Sequence, residues 1–376
     1  MTSNVRPPIE RIKGNEIENP VLVNLGGQFY DGWKTASIKR SIENLTSSFT
    51  LEFFDIWRQR QEDWPIIPGL PLSIFAKGGV INDGLTLTGF INKLSPSFAP
   101  GSRALTASGR GALQDLVDCS VHGIPNEYKN ISLVEFAEKI TSQFPNINVI
   151  DRALKNSKIP KVTIEQGDTY FTALEKVARK KGVVLTESPA GNLILETRGK
   201  DRATTELHLG VNCISGQAEF DDTNTFSDYI VKGQSQGSDN FFAEKASQPC
   251  AIAKDSSVTR FRPKLIIGEK SMNDQEAQDR ANWEATFAAA NAGVVSIRTY
   301  EWLQQDNRLW QINEIVKLKN PFVGIADEDL LIKSTNFTYS KSGGKVTDLE
   351  LVRKDSYDPQ PEVNADGDLK NGLGWG

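Results

Sequence analysis

The sequence predicts a mainly β protein interrupted by a small α/β unit, and three patterns predict it. Residues 1–112 carry short alternating apolar runs between Gly, Pro and Asn clusters, the period-two signature of strands with one buried face. Across 113–204 the pattern changes to helical stripes. From 205 to 353 the alternation returns, broken by a helical insertion around 240–292. Residues 354–376, with Pro359, Pro361 and several glycines, are expected to form an extended tail.

In the first unit Ala36, Ile38 and Ile42 alternate with Lys39 and Arg40, and Phe49, Leu51 and Phe53 alternate with Thr50 and Glu52. Leu72, Ile74 and Ala76 lead to the Gly78-Gly79 turn region, and Leu85, Leu87 and Ile91 follow Asn82-Asp83-Gly84. About six short strands in such a length suit a small barrel or a sandwich. In the middle unit Ser132-Leu133-Val134-Glu135 is a capping box. Leu133, Val134, Phe136, Ala137, Ile140 and Phe144 form the apolar stripe of that helix, which Pro145 stops. A second helix is expected over Thr169 to Lys181, with Asp168 as N-cap and Gly182 closing it. Val183-Val184-Leu185 and Leu193-Ile194-Leu195 then flank a turn, as in a hairpin.

In the third unit Phe226 to Val231 reads as a strand, Gln234 to Gln248 as a polar loop and Asp274 to Ala290 as a helix. Strands are expected at Val294–Tyr300, Leu309–Leu318, Leu330–Tyr339 and Val346–Val352. One internal echo stands out: residues 89–108 and 332–351 both read as strand, Gly-containing turn, strand.

A length of 376 residues suits two or three domains. A net charge of −5 argues against a surface that seeks DNA phosphates or anionic lipid. Cys119, Cys213 and Cys250 are scattered without C-x-x-C spacing, as expected for reduced thiols in a chain made in the cytoplasm. The first 19 residues have no apolar block, so no signal peptide is expected. No run approaches the roughly 18 apolar residues of a membrane span, so no membrane anchor is expected.

Chemistry-bearing constellations are sparse. His122 and His208 are the two histidines, and neither lies in a metal-ligand spacing. No G-x-S-x-G marks a nucleophile elbow. Ser108-Gly109-Arg110-Gly111 lacks the Lys-Ser/Thr of a P-loop, and Arg110 reads as a turn residue. The acidic pairs Asp221-Asp222 and Asp327-Glu328-Asp329 fall in expected turns, where solvated acids are usual. No catalytic, cofactor-binding or metal-ligating residue is therefore assigned. Trp33, Trp57 and Trp64 cluster, as do Trp302 and Trp310; core or interface burial accounts for them better than sugar stacking. Ile164-Glu165-Gln166-Gly167-Asp168-Thr169 looks like the start of a LysM repeat, but a hairpin follows where a second helix is needed.

The order of several motifs resembles the Mu-like baseplate hub proteins of contractile-tailed bacteriophages. They begin with Gly26-Gly27-Gln28-Phe29-Tyr30-Asp31-Gly32-Trp33, Ile38-Lys39-Arg40-Ser41-Ile42-Glu43 and Trp64-Pro65-Ile66-Ile67-Pro68-Gly69. They continue with Leu87 to Ser97, Ser108-Gly109-Arg110, Asp115 to Ser120, Gly167 to Gly182 and Phe226 to Gln234. Arg260-Phe261-Arg262-Pro263, Arg280 to Ala285 and Asn307 to Asn313 complete the set.

The resemblance implies two similar tube-type β-barrel domains, at 1–112 and 205–353, flanking the α/β domain at 113–204. It implies a structural, non-enzymatic baseplate hub: a homotrimer acting as symmetry adaptor between a hexameric tail tube and a trimeric central spike. The expected partners are the tail tube protein or a tube-terminal hub partner, the spike and the baseplate wedge proteins. DNA is expected to pass through during ejection without specific binding. The expected location is the virion tail baseplate, after synthesis in the bacterial host cytoplasm. The rival expectation is a tail-associated peptidoglycan-degrading or cell-wall/carbohydrate-binding protein.

Overall fold

The computed structural model describes residues 21–30, 33–54, 66–76, 79, 84–100, 102–155, 157–234, 250–271 and 274–357. Trp57, Trp64, the Asn82-Asp83 turn, the polar loop over 235–248 and the tail beyond 357 lie outside the described residues.

The first half contributes β1 (Val21–Leu25), β2 (Gln28–Tyr30), β3 (Trp33–Ser41), β4 (Asn44–Phe54), β5 (Pro71–Ala76), β6 (Leu85–Ala99) and β7 (Ser102–Gly111). Gly26 and Gly27 sit at φ +59° and +90°, the left-handed pair that a two-residue hairpin turn requires. The middle holds α1 (Gln114–Asp118), β8 (Glu127–Ile131), α2 (Leu133–Thr141), β9 (Val149–Asp151), β10 (Ile159–Thr163), α3 (Tyr170–Lys180), β11 (Val184–Glu187) and β12 (Leu193–Glu196).

The remainder opens with β13 (Asp201–Arg202), β14 (Leu207–His208) and β15 (Cys213–Phe220). A separate small layer follows, of β16 (Asp228–Gln234), β17 (Cys250–Lys254), β18 (Pro263–Ser271) and α4 (Asp274–Asn291). The chain then returns through β19 (Gly293–Tyr300), β20 (Glu314–Asn320), β21 (Ile325–Ser340) and β22 (Gly344–Arg353).

Both halves share one long mixed sheet, ordered β15-β19-β22-β21-β3-β4-β7-β6-β5-β1-β2, with β20 joined to β21 and carrying β13 and β14. The sheet repeats itself. The run β3-β4-β7-β6-β5 has the same order of strands as β15-β19-β22-β21-β20, and every pairing in both runs is antiparallel. The irregularities repeat too. A bulge between Trp33 and Thr35 matches one between Cys213 and Ser215, a shift of 180 positions (33 to 213, 35 to 215). A bulge between Ile91 and Lys93 matches one between Ile332 and Ser334, a shift of 241 positions (91 to 332, 93 to 334). Bulges bend a strand and re-aim its pairing. The bulges at Ile91 and Ile332 lie where a long central strand exchanges neighbours: β6 leaves β5 near Phe90, and β21 leaves β20 near Leu331.

The α4 layer is inserted between β15 and β19, where the first half has only the two-residue turn Ile42-Glu43. Its helix buries Ala277 and Ala281 against Tyr229, Val231, Ala251 and Ala253 on one face of β16–β18. One hydrophobic core lies beneath the long sheet and draws on both halves, from Val23, Ile38 and Phe49 to Ile297, Phe337 and Leu351. The middle unit has its own core around Leu116, Phe136, Ile140, Leu174 and Leu193.

Several elements depart from the sequence reading. Arg40 lies on the buried face, because Ala36, Ile38 and Arg40 alternate inward while Lys39 points out. Thr169 caps α3, its hydroxyl accepting from the Thr172 N–H, while Asp168 accepts from the Glu165 N–H one turn earlier. Asp327, Glu328 and Asp329 are in β21, not a turn. Arg110 is in β7, paired with Asp118. Leu309 to Asn313 precede β20 rather than belonging to it. Residues 354–357 form a 3-10 turn docked on α4, where the Ser356 hydroxyl donates to the Ala290 carbonyl at 2.9 Å.

A buried polar joint ties the middle unit to the sheet. The Glu187 carboxylate accepts from the Ser47 and Leu113 N–H groups at 2.8 and 2.9 Å, and Arg40 donates to the Glu187 carbonyl and to Gln311. A Cβ at Gly111 would collide with that carboxylate, which explains the glycine. Glu187→Ala should strand two buried N–H groups and cost about 2–4 kcal/mol, read as a lowered denaturation midpoint. At α2 the capping box forms as expected, and Lys158, then the Ser132 N–H and hydroxyl, hold the Glu135 carboxyl down from 4.5 to about 2. Its stabilising contribution is therefore complete above pH 4.5 and lost as pH falls through about 2. NMR titration of Glu135 should show that midpoint, and Lys158→Ala should raise it.

Candidate functional site

The face of the long sheet opposite the core is polar along several cross-strand rows. One row runs Ser215, Arg298, Asp348, Asn336, Lys39, Ser48, Arg110 from β15 to β7. Another runs Thr338, Ser37, Thr50, Ser108, Lys93, and a third Ser340, Thr35, Glu52, Thr106, Ser95. Short hydroxyl and amide side chains dominate, and the alternation of strand side chains keeps them on one surface.

Several charges on this face are paired. Arg298 forks onto Asp348 at 2.6 and 3.0 Å, and Lys34 meets Glu52 at 3.1 Å. The Ser37 hydroxyl donates to Asn336 at 2.9 Å, bonding the two halves across the seam. The Asp348 partner raises the Arg298 pKa. The result is a polar surface with charges interspersed among hydroxyl and amide side chains.

Two edges of this sheet are paired within the chain and their two counterparts are not. Residues Ser334–Ser340 of β21 pair with Thr35–Ser41 of β3. The equivalents, Lys93–Ala99 of β6 and Ser215–Phe220 of β15, have no ladder partner on their outer sides among the described residues. Exposure follows. Ala36, Ile38, Phe337 and Tyr339 are buried, whereas Phe98 is 90% and Phe220 65% exposed.

The residues weighed as chemical candidates are dispersed. His208 reaches Glu206 at 3.0 Å, and Glu206 is held at about 2 chiefly by Lys319 and then by His208. The His122 carbonyl accepts from the Tyr170 hydroxyl at 3.0 Å. Asp329 forks onto Arg202, which lowers its pKa, and Asp327 pairs with Lys317. Asp221 caps its own turn and Asp222 meets Arg260 at 2.7 Å. Cys119, Cys213 and Cys250 are unbridged, and burial pushes the Cys213 thiol up. Among the described residues no cluster of His, Cys, Asp and Glu has metal-binding geometry. Trp33, Trp302 and Trp310 are buried in the core, so they offer no sugar platform.

The sequence reading missed the buried carboxylates. Burial raises the pKa of Glu187, Glu196 and Glu314. Glu314 accepts from Gln304 at 3.1 Å and Glu196 from the Thr186 hydroxyl at 2.8 Å. Glu187 bonds segments distant in sequence, whereas Glu196 and Glu314 each bond a residue ten positions away, and the three act as buried joints rather than as an acid–base pair in a cleft.

Known proteins match along nearly the whole chain. Family models match in order: the Mu phage baseplate assembly protein GpP-like N-terminal domain at 20–111, the second domain of gp44-like baseplate hub proteins at 113–197, and the GpP fourth domain at 273–360. The chain is 27% identical to the baseplate hub protein gp44 of Escherichia phage Mu over 368 residues, covering 95% of this chain and 93% of that protein. Its fold is similar to the 43 kDa tail protein of prophage MuSo2 from Shewanella oneidensis, with TM-score 0.78 and 26% identity, covering 91% and 99% of the two chains. It is also similar to a tail protein from Neisseria meningitidis MC58, with TM-score 0.73 and 24% identity over the same shares. With these domains matched in this order along the chain, it belongs to the Mu-like baseplate hub proteins, structural components of phage tails.

Proposed function

We propose that this hub protein works as a homotrimer, a symmetry adaptor that joins a hexameric tail tube to a trimeric central spike. The single observation that carries this reading is the repeated strand order with its repeated bulges. Rings of different order cannot make identical contacts around one axis unless one ring supplies near-copies of its interface. A chain with two like sheets supplies six such copies from three subunits. The threefold repeat of whole chains then seats the spike.

The division into a tube-type barrel at 1–112, a middle domain at 113–204, a second barrel at 205–353 and a tail at 354–376 belongs to the same proposal. The polar rows line the bore in this arrangement. Their Ser, Thr and Asn side chains stay hydrated, and the cations among them are interleaved with hydroxyl, amide and acidic side chains, which offers DNA no continuous line of cations to grip. DNA passes this wall during ejection. The middle domain and the α4 layer lie off the shared sheet and meet the baseplate wedge proteins. The protein is not an enzyme, carries no catalytic residue and takes no cofactor. It is made and assembled in the host cytoplasm with its thiols reduced, and it resides in the tail baseplate of the virion.

Light scattering of the purified chain should give a mass of about 125 kDa, three times 41.5 kDa, and cryo-EM class averages should show six lobes around a bore. A stable monomer at micromolar concentration would remove the reading. Titration with duplex DNA at low salt should show no saturable binding, and purified sacculi should lose no turbidity.

A further inference from the structure

We infer that the Lys93–Ala99 edge of β6 in one copy pairs antiparallel with the Ser215–Phe220 edge of β15, extended by Asp221, in the next, in the register of the β21–β3 ladder. This rests on the trimeric reading and adds the surface that makes it. The structure contains the template for the contact. Within one chain, Ser334, Thr335, Asn336, Phe337, Thr338, Tyr339 and Ser340 face Ser41, Arg40, Lys39, Ile38, Ser37, Ala36 and Thr35. The 241-position shift carries the first strand onto Lys93 to Ala99, and the 180-position shift carries the second onto Ser215 to Asp221. The intermolecular pairs are therefore Lys93 with Asp221, Leu94 with Phe220, Ser95 with Glu219, Pro96 with Ala218, Ser97 with Gln217, Phe98 with Gly216 and Ala99 with Ser215.

The side chains fit that register. In the template the large Tyr339 sits opposite the small Ala36, and both are buried. In the copy the large Phe98, 90% exposed in a single chain, sits opposite Gly216. Phe220, 65% exposed, meets the half-buried Leu94. Directly opposed apolar pairs of this kind are the unit of sheet stabilisation. The end pair joins a lysine to an aspartate, where the template has two serines. Because β6 and β15 already have their faces fixed by β7 and β19, a slip by one residue would set Phe98 and Phe220 against residues of the opposite face, so the register is strongly specified.

Pro96 brings no N–H, so this edge has one ladder donor fewer than a full strand. A proline also discourages indiscriminate strand addition, which leaves selection of the partner to the side chains. The contact is heterologous, edge to opposite edge, and such contacts form rings when the rotation closes. Each copy uses both of its open edges once, and the closed ring leaves neither exposed.

The test is disulfide capture on a full chain with Cys119→Ser, Cys213→Ser and Cys250→Ser. Ser97→Cys with Gln217→Cys places the thiols directly opposite one another, within about 4.5–5.5 Å at Cβ, whereas Ser97→Cys with Glu219→Cys is a diagonal pair about 7–8 Å apart. The expected result is oxidation of the first variant to covalent dimer and trimer bands, at least tenfold faster than the second. Phe98→Asp, on an exposed position, should weaken association at least tenfold with unchanged far-UV circular dichroism. A trimer by light scattering that gives no capture at 97/217, or prefers 97/219, overturns this register and leaves the trimeric reading standing. A parent chain that stays monomeric overturns both.

Discussion

The seam between β21 and β3 is the constraint on which the rest depends. Seven consecutive pairs, from Ser334 with Ser41 to Ser340 with Thr35, join strands almost 300 residues apart in sequence. Because strand side chains alternate with a period of two, this ladder fixes which residues of both halves face the core and which face outward. Phe337 and Ile38 go inward together, and Asn336 and Ser37 hydrogen-bond on the other side. Without it there would be two small sheets with separate cores. With it there is one core and one continuous outer face, polar along the rows that cross the seam.

Such a long-range seam imposes a burden that the polar joints relieve. Closing a loop of this length costs entropy that local contacts do not recover. Arg40 lies on β3 itself and reaches Gln311 near β20 and the Glu187 carbonyl of the middle unit. Asn313 serves the same purpose on the other side, donating to the Thr197 carbonyl and accepting from the Gly199 N–H. Buried groups of this kind define one relative placement of the three units, because any other placement leaves them unsatisfied.

Much of this was readable in the sequence, and the exceptions have physical causes. The capping box at Ser132 and Glu135 and the helix at 274–290 were legible because their signals are local. The hairpin echo between 89–108 and 332–351 was legible as a pattern, and it corresponds to β6–β7 and β21–β22. Arg40 was misplaced because a charged residue in an alternating strand normally points to water, and its buried partners come from distant segments. The acids at 327–329 looked like a turn because a run of charges rarely occupies a strand; two of them are held there by Lys317 and Arg202 across the sheet. The polar rows and open edges could not be read at all. They exist only once the strand order is known.

The α4 layer enters and leaves the sheet on neighbouring positions, with Phe220 opposite Gly293 and the Asp221 N–H bonded to the Ala292 carbonyl at 2.7 Å. The corresponding place in the first half is a turn of two residues. The layer thus joins the sheet through one pair of neighbouring strand ends and is braced by the 354–357 turn, where Asn291 donates to the Ser356 carbonyl at 3.1 Å. The ladder of the shared sheet runs past this inserted layer unbroken, since β15 and β19 pair continuously from Ser215 to Phe220.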